Sequence, residues 1–278
     1  MDIRGIDVSA YNPVNNYAEV AGDKIKIAIL RITEQGNVVD SAFERNYKGF
    51  RDHGIKVGVY KYSYALNTEQ AEEEAEKVLE VMRGRELEFP VFYDMEWSRQ
   101  RNLPRTELTK IVKAFRKVIV EGGYLFGIYC NTDWYYHVLD TASLPYDYWL
   151  ASYPYNDRGV IVESLRPPVG IGWQYSSKGR VPGIEGYVDL DVFYKDCSGV
   201  GNAEENRLWV GECTGNGVNV RRGPGLEYTP IEGYPFLNKG NLVDVIGEKK
   251  AEDGILWYEV WIARRDKGYV RHDYIRRV

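Results

Sequence analysis

Cysteine and histidine are scarce in this chain of 278 residues, three of each. Cys130, Cys197 and Cys213 are odd in number and far apart, and His53, His137 and His272 are scattered. Neither a disulfide framework nor a zinc site fits that pattern, so no metal or other cofactor is expected. Basic residues are not in excess either: the formal net charge is −5, which leaves a nucleic-acid partner without electrostatic support. No apolar run approaches the ~20 residues of a membrane span, and none is expected. Phenylalanine is thin as well, eight against 23 Tyr and seven Trp. Rings that carry a polar handle suit clefts that stack on sugars or peptides, and equally a core whose hydroxyls reach its rim.

The charge is unevenly spread. Residues 1–206 hold 24 Lys and Arg against 31 Asp and Glu, and residues 207–278 hold 12 against 10. The sign changes near the small, polar stretch 198–207, which reads as a linker between a domain over 1–197 and a second over 208–278. In the first, apolar runs predict strands at Arg4–Tyr11, Ile25–Ile32, Val57–Tyr64, Phe89–Trp97, Phe126–Asn131, Tyr148–Tyr153, Ile171–Tyr175 and Val188–Phe193. Helices are predicted from Ser41, as cap, to Gly54, over 68–83, and from Pro104 to Gly122-Gly123. The acids of the second helix, Glu72, Glu73, Glu74 and Glu76, read as its solvated face. Strands alternating with helices for the first five, then strands alone, argue for an α/β barrel of the TIM type that becomes irregular after strand five. The second part shows short strands with frequent glycine, the pattern of a small all-β barrel.

The chemistry concentrates on the fourth strand. Side chains alternate faces, so Asp94 and Glu96 point to the same side, roughly 7 Å apart. Two acids at the end of an apolar strand are solvated, paired or used; a barrel places its chemistry at that end of its strands, which favours use. A carboxylic acid held protonated beside a second carboxylate is the equipment of glycoside hydrolysis. Glu96 is the better donor, with a longer arm and with Tyr93 and Trp97 nearby to lower the dielectric.

Gly5-Ile6-Asp7-Val8-Ser9, Tyr93-Asp94-Met95-Glu96-Trp97, Trp173-Gln174-Tyr175 and Val188-Asp189-Leu190, in this order, resemble family 25 of the glycoside hydrolases over roughly residues 1–195. These are muramidases that cut peptidoglycan between N-acetylmuramic acid and N-acetylglucosamine, in a barrel whose last strands lack regular helices. The resemblance implies Glu96 as general acid, Asp94 as its partner, and Asp7 and Asp189 as the rest of an acidic cleft floor. Asp191 stands where the family usually has asparagine, which leaves open whether it or Asp189 faces the site. Nucleophilic attack by the substrate's own acetamide, oriented by Asp94, is the favoured path, with inversion through water activated by Asp7 or Asp189 as the alternative. Sugar contacts are expected from Tyr62, Tyr64, Tyr129, Trp149, Tyr153, Trp173 and Tyr175, and an amide or hydroxyl contact from Gln174. Asn219-Val220-Arg221-Arg222-Gly223-Pro224-Gly225, Trp257-Tyr258-Glu259-Val260 and Gly268-Tyr269-Val270 resemble bacterial SH3-like wall-binding modules, which implies a wall peptide or other wall polymer as a second partner. The layout is that of a phage endolysin or an autolysin acting on the bacterial wall from outside the cytoplasm. Met1-Asp2-Ile3-Arg4 leads straight into strand-like sequence, so release by holin-type lysis or a leader missing from this sequence is expected. A non-catalytic wall lectin and a chitinase-type glycosidase are the competing readings.

Overall fold

The structure is a computed structural model that describes residues 2–194, 197, 208–232, 234–262 and 266–278. The predicted linker, 198–207, lies outside them. Contacts divide the chain into two compact units, Met1–Gly199 and Val200–Val278.

The first unit is a mixed α/β fold around a closed eight-stranded barrel. Its strands are β1 (Ile3–Val8), β2 (Ile27–Thr33), β3 (Lys56–Tyr62), β4 (Val91–Asp94), β5 (Phe126–Asn131), β6 (Asp147–Ala151), β7 (Gly172–Gly179) and β8 (Val188–Phe193). Helices α1 (Tyr17–Gly22), α2 (Phe43–Asp52), α3 (Thr68–Met82) and α4 (Arg105–Glu121) fill the first four connections. After β5 the described residues hold only single helical turns, at Trp134–Val138 and Glu163–Leu165.

The short α1 escaped the sequence reading. It is capped by Asn16, whose side chain accepts from the amides of Ala18 and Glu19. Ser41 is not the cap of α2; Asp40 instead accepts from the Ala42 amide at 2.9 Å. Asn67 caps α3 by accepting from Gln70 N.

The period-two alternation sorts the strands' side chains into two cores. Val57, Val59, Val91, Tyr93, Ile128 and Leu150 pack outward against helix residues such as Phe50, Val78 and Phe115. Ile27, Ile29, Phe92, Tyr129, Trp149 and Phe193 pack together inside the barrel. Space for those rings comes from glycine: a Cβ on Gly127 would stand 2.6 Å from the Phe92 ring, and one on Gly172 2.6 Å from Phe193.

The barrel departs from an all-parallel one at its last strand. β1 to β7 run parallel, but β8 is antiparallel to both β7 and β1. The reversal puts the start of β8 at the rim where the other strands end, with Asp189 beside Asp7 in register.

The second unit is all β. Strands β9 (Trp209–Cys213), β12 (Leu242–Lys250), β13 (Leu256–Ile262), β14 (Asp266–Arg271) and β15 (Ile275–Arg277) form an antiparallel sheet in the order β14-β13-β12-β9-β15. A two-stranded ribbon, β10 (Val218–Asn219) with β11 (Phe236–Leu237), accompanies it. The expected closed barrel is thus a five-stranded sheet and a ribbon, bridged at Arg221 and Tyr269. The unit has its own core, including Val220, Val243, Val245, Val260 and Val270.

Candidate functional site

The C-terminal ends of β1 to β6 and the start of β8 surround a cleft of about 660 Å³. Asp7, Asp94, Glu96 and Asp189 all line it, together with Tyr62, Tyr64, Tyr129, Trp149, Tyr153 and Gln174. Four carboxyls from three strand ends therefore share one recess. Regular pairing in β4 stops at Asp94, so Glu96 sits just past the strand end.

Burial is what sets their proton affinities. Asp94 is buried, and desolvation, then the charge of Glu96, pushes its carboxyl well above the ordinary range, while Lys61 pulls it back. Glu96 is pushed up by desolvation and then by Asp189. Asp7 is raised by burial and then by Asp189 and Asp191, against a lowering hydrogen bond from Gln174. Asp189 is raised to about 6, by burial and then by Asp157, with Lys178 opposing. Crowded, buried acids of this kind hold their protons more tightly than free carboxylates do.

The inner polar groups are tied together. Gln174 Nε2 donates to Asp7 Oδ2 at 2.7 Å, and Gln174 Oε1 accepts from the Tyr129 hydroxyl at 2.9 Å. Gln174 is therefore committed to bracing Asp7. Trp149 Nε1 donates to Asp191 Oδ1 at 2.9 Å. Asp191 is fully buried beneath the cleft, and Asp189 is the aspartate of β8 that lines it. Asp94 Oδ1, also buried, has no hydrogen-bond partner among the described residues.

Rings form the walls. Tyr62 and Tyr64 lie 4.9 Å apart between centroids, and Trp97 meets Tyr64 edge-on at 5.3 Å. Trp149 floors the recess against Tyr129 at 4.4 Å. Two expected sugar contacts do not belong to this wall. Trp173 and Tyr175 flank Gln174 on β7, so their side chains point outward into the helix-facing core. The same alternation removes Tyr93 from the neighbourhood of Glu96: its ring stacks on Phe115 of α4 at 3.8 Å.

Tyr93 leads instead to a buried polar group behind the strand. Its hydroxyl donates to Glu74 Oε2 at 2.6 Å, and the amide of Tyr64 donates to Glu74 Oε1 at 2.8 Å. Lys61 Nζ, fully buried, pairs with Glu74 at 3.5 Å. Glu74 is thus no part of a solvated face, because it turns inward from α3 to the ends of β3 and β4.

Sequence reasoning missed Tyr11, Arg31, Thr33, Glu34, Gln35 and Tyr60, which also line the cleft. Tyr60 and Arg31 were legible, since each continues an inward alternation, Tyr60 with Tyr62 and Arg31 with Ile27 and Ile29. Arg31 is held by Asp40 at 2.6 Å and Glu34 at 3.0 Å. Among the described residues no group of three or more His, Cys, Asp or Glu is arranged to hold a metal ion. The second unit has a smaller recess of about 200 Å³, lined in part by Asn219, Arg221, Trp257, Arg271 and Tyr274.

Comparison with known proteins gives this cleft its context. Residues 6–184 match the model of glycosyl hydrolases family 25. An autolytic lysozyme of Clostridium acetobutylicum is 25% identical over 191 residues, 69% of this chain and 56% of that protein. The uncharacterized protein YegX of Escherichia coli strain K12 is 30% identical over 201 residues, covering 69% of each. Among solved structures, the modular autolysin LytC of Streptococcus pneumoniae superposes with a TM-score of 0.59 at 25% identity, over 69% of this chain and 47% of that one. The chain thus spans about half the length of these two longer relatives. With most of the barrel inside the matched region, the chain belongs to glycosyl hydrolases family 25.

Proposed function

We propose that the barrel is a muramidase that hydrolyses the β-1,4 bond between N-acetylmuramic acid and N-acetylglucosamine in peptidoglycan. The observation that carries this reading is the convergence of Asp7, Asp94, Glu96 and Asp189 on one ring-walled cleft. The family and the autolytic names of two relatives support it. Glu96 is the general acid: it sits just past the end of β4 on the cleft, burial and Asp189 raise its proton affinity, and it gives a proton to the glycosidic oxygen as the bond breaks. The acetamide oxygen of the −1 sugar attacks the anomeric carbon, and the resulting oxazolinium ion is opened by water. Asp94 orients the acetamide. Its unpartnered Oδ1 is the acceptor that the acetamide N–H needs, and a buried acceptor left unmade costs about 1–3 kcal/mol. That orphan oxygen favours substrate assistance over inversion. Asp189, raised only to about 6, is largely anionic at neutral pH and adds negative field that stabilises the cationic transition state, with Asp7 beside it braced by Gln174. Tyr62, Tyr129, Trp149 and Tyr153 supply the sugar contacts.

The second unit is read as an SH3-like module that holds the enzyme on the bacterial wall, through a wall peptide or another wall polymer. Its recess beside Trp257 and Tyr274 offers rings and donors for such a ligand.

The test is mass spectrometry of digested peptidoglycan, with time-resolved NMR of the first-formed anomer, for wild type and Glu96→Gln. Wild type is expected to create reducing ends at N-acetylmuramic acid with retained anomeric configuration, and Glu96→Gln to lose about 10²–10⁴-fold in kcat. Retained lysis by Glu96→Gln removes Glu96 as the acid. Inverted product turns the mechanism to water activated by Asp7 or Asp189. Cleavage of chitin but not peptidoglycan overturns the muramidase reading.

A further inference from the structure

Strands β7 and β8 are joined by a hairpin, residues 180–187, and two exposed cations, Lys178 at the end of β7 and Arg180 in the hairpin, lie against one ring. Lys178 Nζ lies 5.0 Å and the Arg180 guanidinium 4.4 Å from the centroid of Tyr187, which is half exposed. Among the described residues neither cation forms a salt bridge. Two like charges set against one tyrosine ring repel each other, and the ring offsets only part of that. The arrangement favours an anion between or beside them.

This hairpin borders the cleft. Asn12 Nδ2 donates to Tyr187 O at 3.1 Å, and Tyr11, the neighbour of Asn12, lines the cleft. At the other edge, Asp157 accepts from Ser176 Oγ at 2.9 Å and from Ser177 N at 2.7 Å, fixing the strand that presents Lys178. Two residues after Tyr187 comes Asp189. The lining of the cleft itself is hostile to anions. Asp7, Glu34, Asp94, Glu96 and Asp189 face it, and its cation, Arg31, is already engaged by Asp40 and Glu34.

We propose that Lys178 and Arg180, held over Tyr187, form an anion subsite at the rim for carboxylates carried on the substituents of the glycan strand. The proposal rests on the muramidase reading. N-acetylmuramic acid bears a lactyl ether whose carboxyl is free or extended by a peptide with carboxylates of its own. An acidic cleft repels these groups, and a cationic rim draws them outward while the neutral sugar ring enters. The hairpin thereby distinguishes a muramyl glycan from an uncharged one such as chitin.

The experiment compares wild type, Lys178→Ala/Arg180→Ala and the charge-retaining Lys178→Arg/Arg180→Lys on soluble peptidoglycan fragments. The same fragments with their carboxyls amidated form the second substrate. On native fragments the alanine variant is expected to raise KM about three- to tenfold with kcat unchanged, the size expected for two exposed ion pairs. Higher salt should close that gap. The charge-retaining variant should keep the wild-type KM, and amidation should raise the KM of wild type while leaving the alanine variant as it was. Equal KM for wild type and the alanine variant on native fragments overturns the proposal, as does a wild-type KM unaltered by amidation, an arm independent of how any variant folds. Wild type that produces no muramic reducing ends overturns the muramidase reading and this proposal with it.

Discussion

Asp189 shows how much one residue depends on context that its neighbours in sequence do not display. Alone it is an acid near the start of an apolar strand; only the reversal of β8 sets it opposite Asp7. Its folded value of about 6 lies above the ~3.9 of an unfolded chain. The protonated form is therefore favoured by folding. The stability it contributes is fully present below about pH 4 and is lost as pH rises through 6. At 1.36 kcal/mol per unit, and with the side chain keeping some contact with water, the loss is about 2 kcal/mol. Asp133 and Asp157, whose carboxyls are held below their usual range, lose their contribution only at pH values lower than this window. Part of that loss has already occurred by pH 4.5, so urea unfolding at pH 4.5 and 7 is expected to show Asp189→Asn losing about 1.3 kcal/mol less than wild type between the two. Parallel losses would place Asp189 in open solvent.

At the scale of elements, the sequence displays periods well and directions poorly. β5 and β8 occur at their predicted bounds because apolar runs and flanking turn residues mark both ends. The face on which Trp173, Tyr175 and Tyr93 lie was also available from alternation, since each is the strand neighbour of an inward polar residue. Two things were not legible: that β8 runs backwards, which is decided by closure of the barrel, and that one glutamate of an acidic helix turns inward. Glu74 joins α3 to the ends of β3 and β4, taking Tyr64 N, Tyr93 Oη and Lys61 Nζ at once. Removing one member of a buried pair strands the other charge, which costs about 3–5 kcal/mol. Glu74→Ala is therefore expected to lower stability by that amount. Lys61→Met/Glu74→Gln keeps an acceptor oxygen for one of the two tyrosine donors, places an amide N–H beside the other and leaves no buried charge, so it should recover much of the loss. Chemical denaturation decides it: a double variant as unstable as Glu74→Ala would show that the charge pair, and not the acceptor, holds these strand ends together.

For the whole molecule, contacts divide the chain into two units, each with a core of its own. The acid groups that define the cleft all belong to the first. Every described residue that lines the cleft lies in the first unit, so in the proposed wall hydrolase the second unit would serve residence rather than chemistry. Linking a binding module to a catalytic one raises local concentration on a polymer without changing the chemical step. Its slight positive balance, 12 basic against 10 acidic residues over 207–278, is too small to hold an anionic wall by itself. In the proposed wall-binding role, contacts from the exposed ring of Tyr274 are the stronger source. Deletion of 207–278 is accordingly expected to weaken sedimentation with whole walls about tenfold or more, while kcat/KM on short soluble glycan fragments stays within about twofold. The contrast between the two substrates is the informative quantity. Equal binding to walls with and without the tail would reduce the second unit to a structural appendage, and a matching loss on soluble fragments would mean that the barrel relies on it to fold.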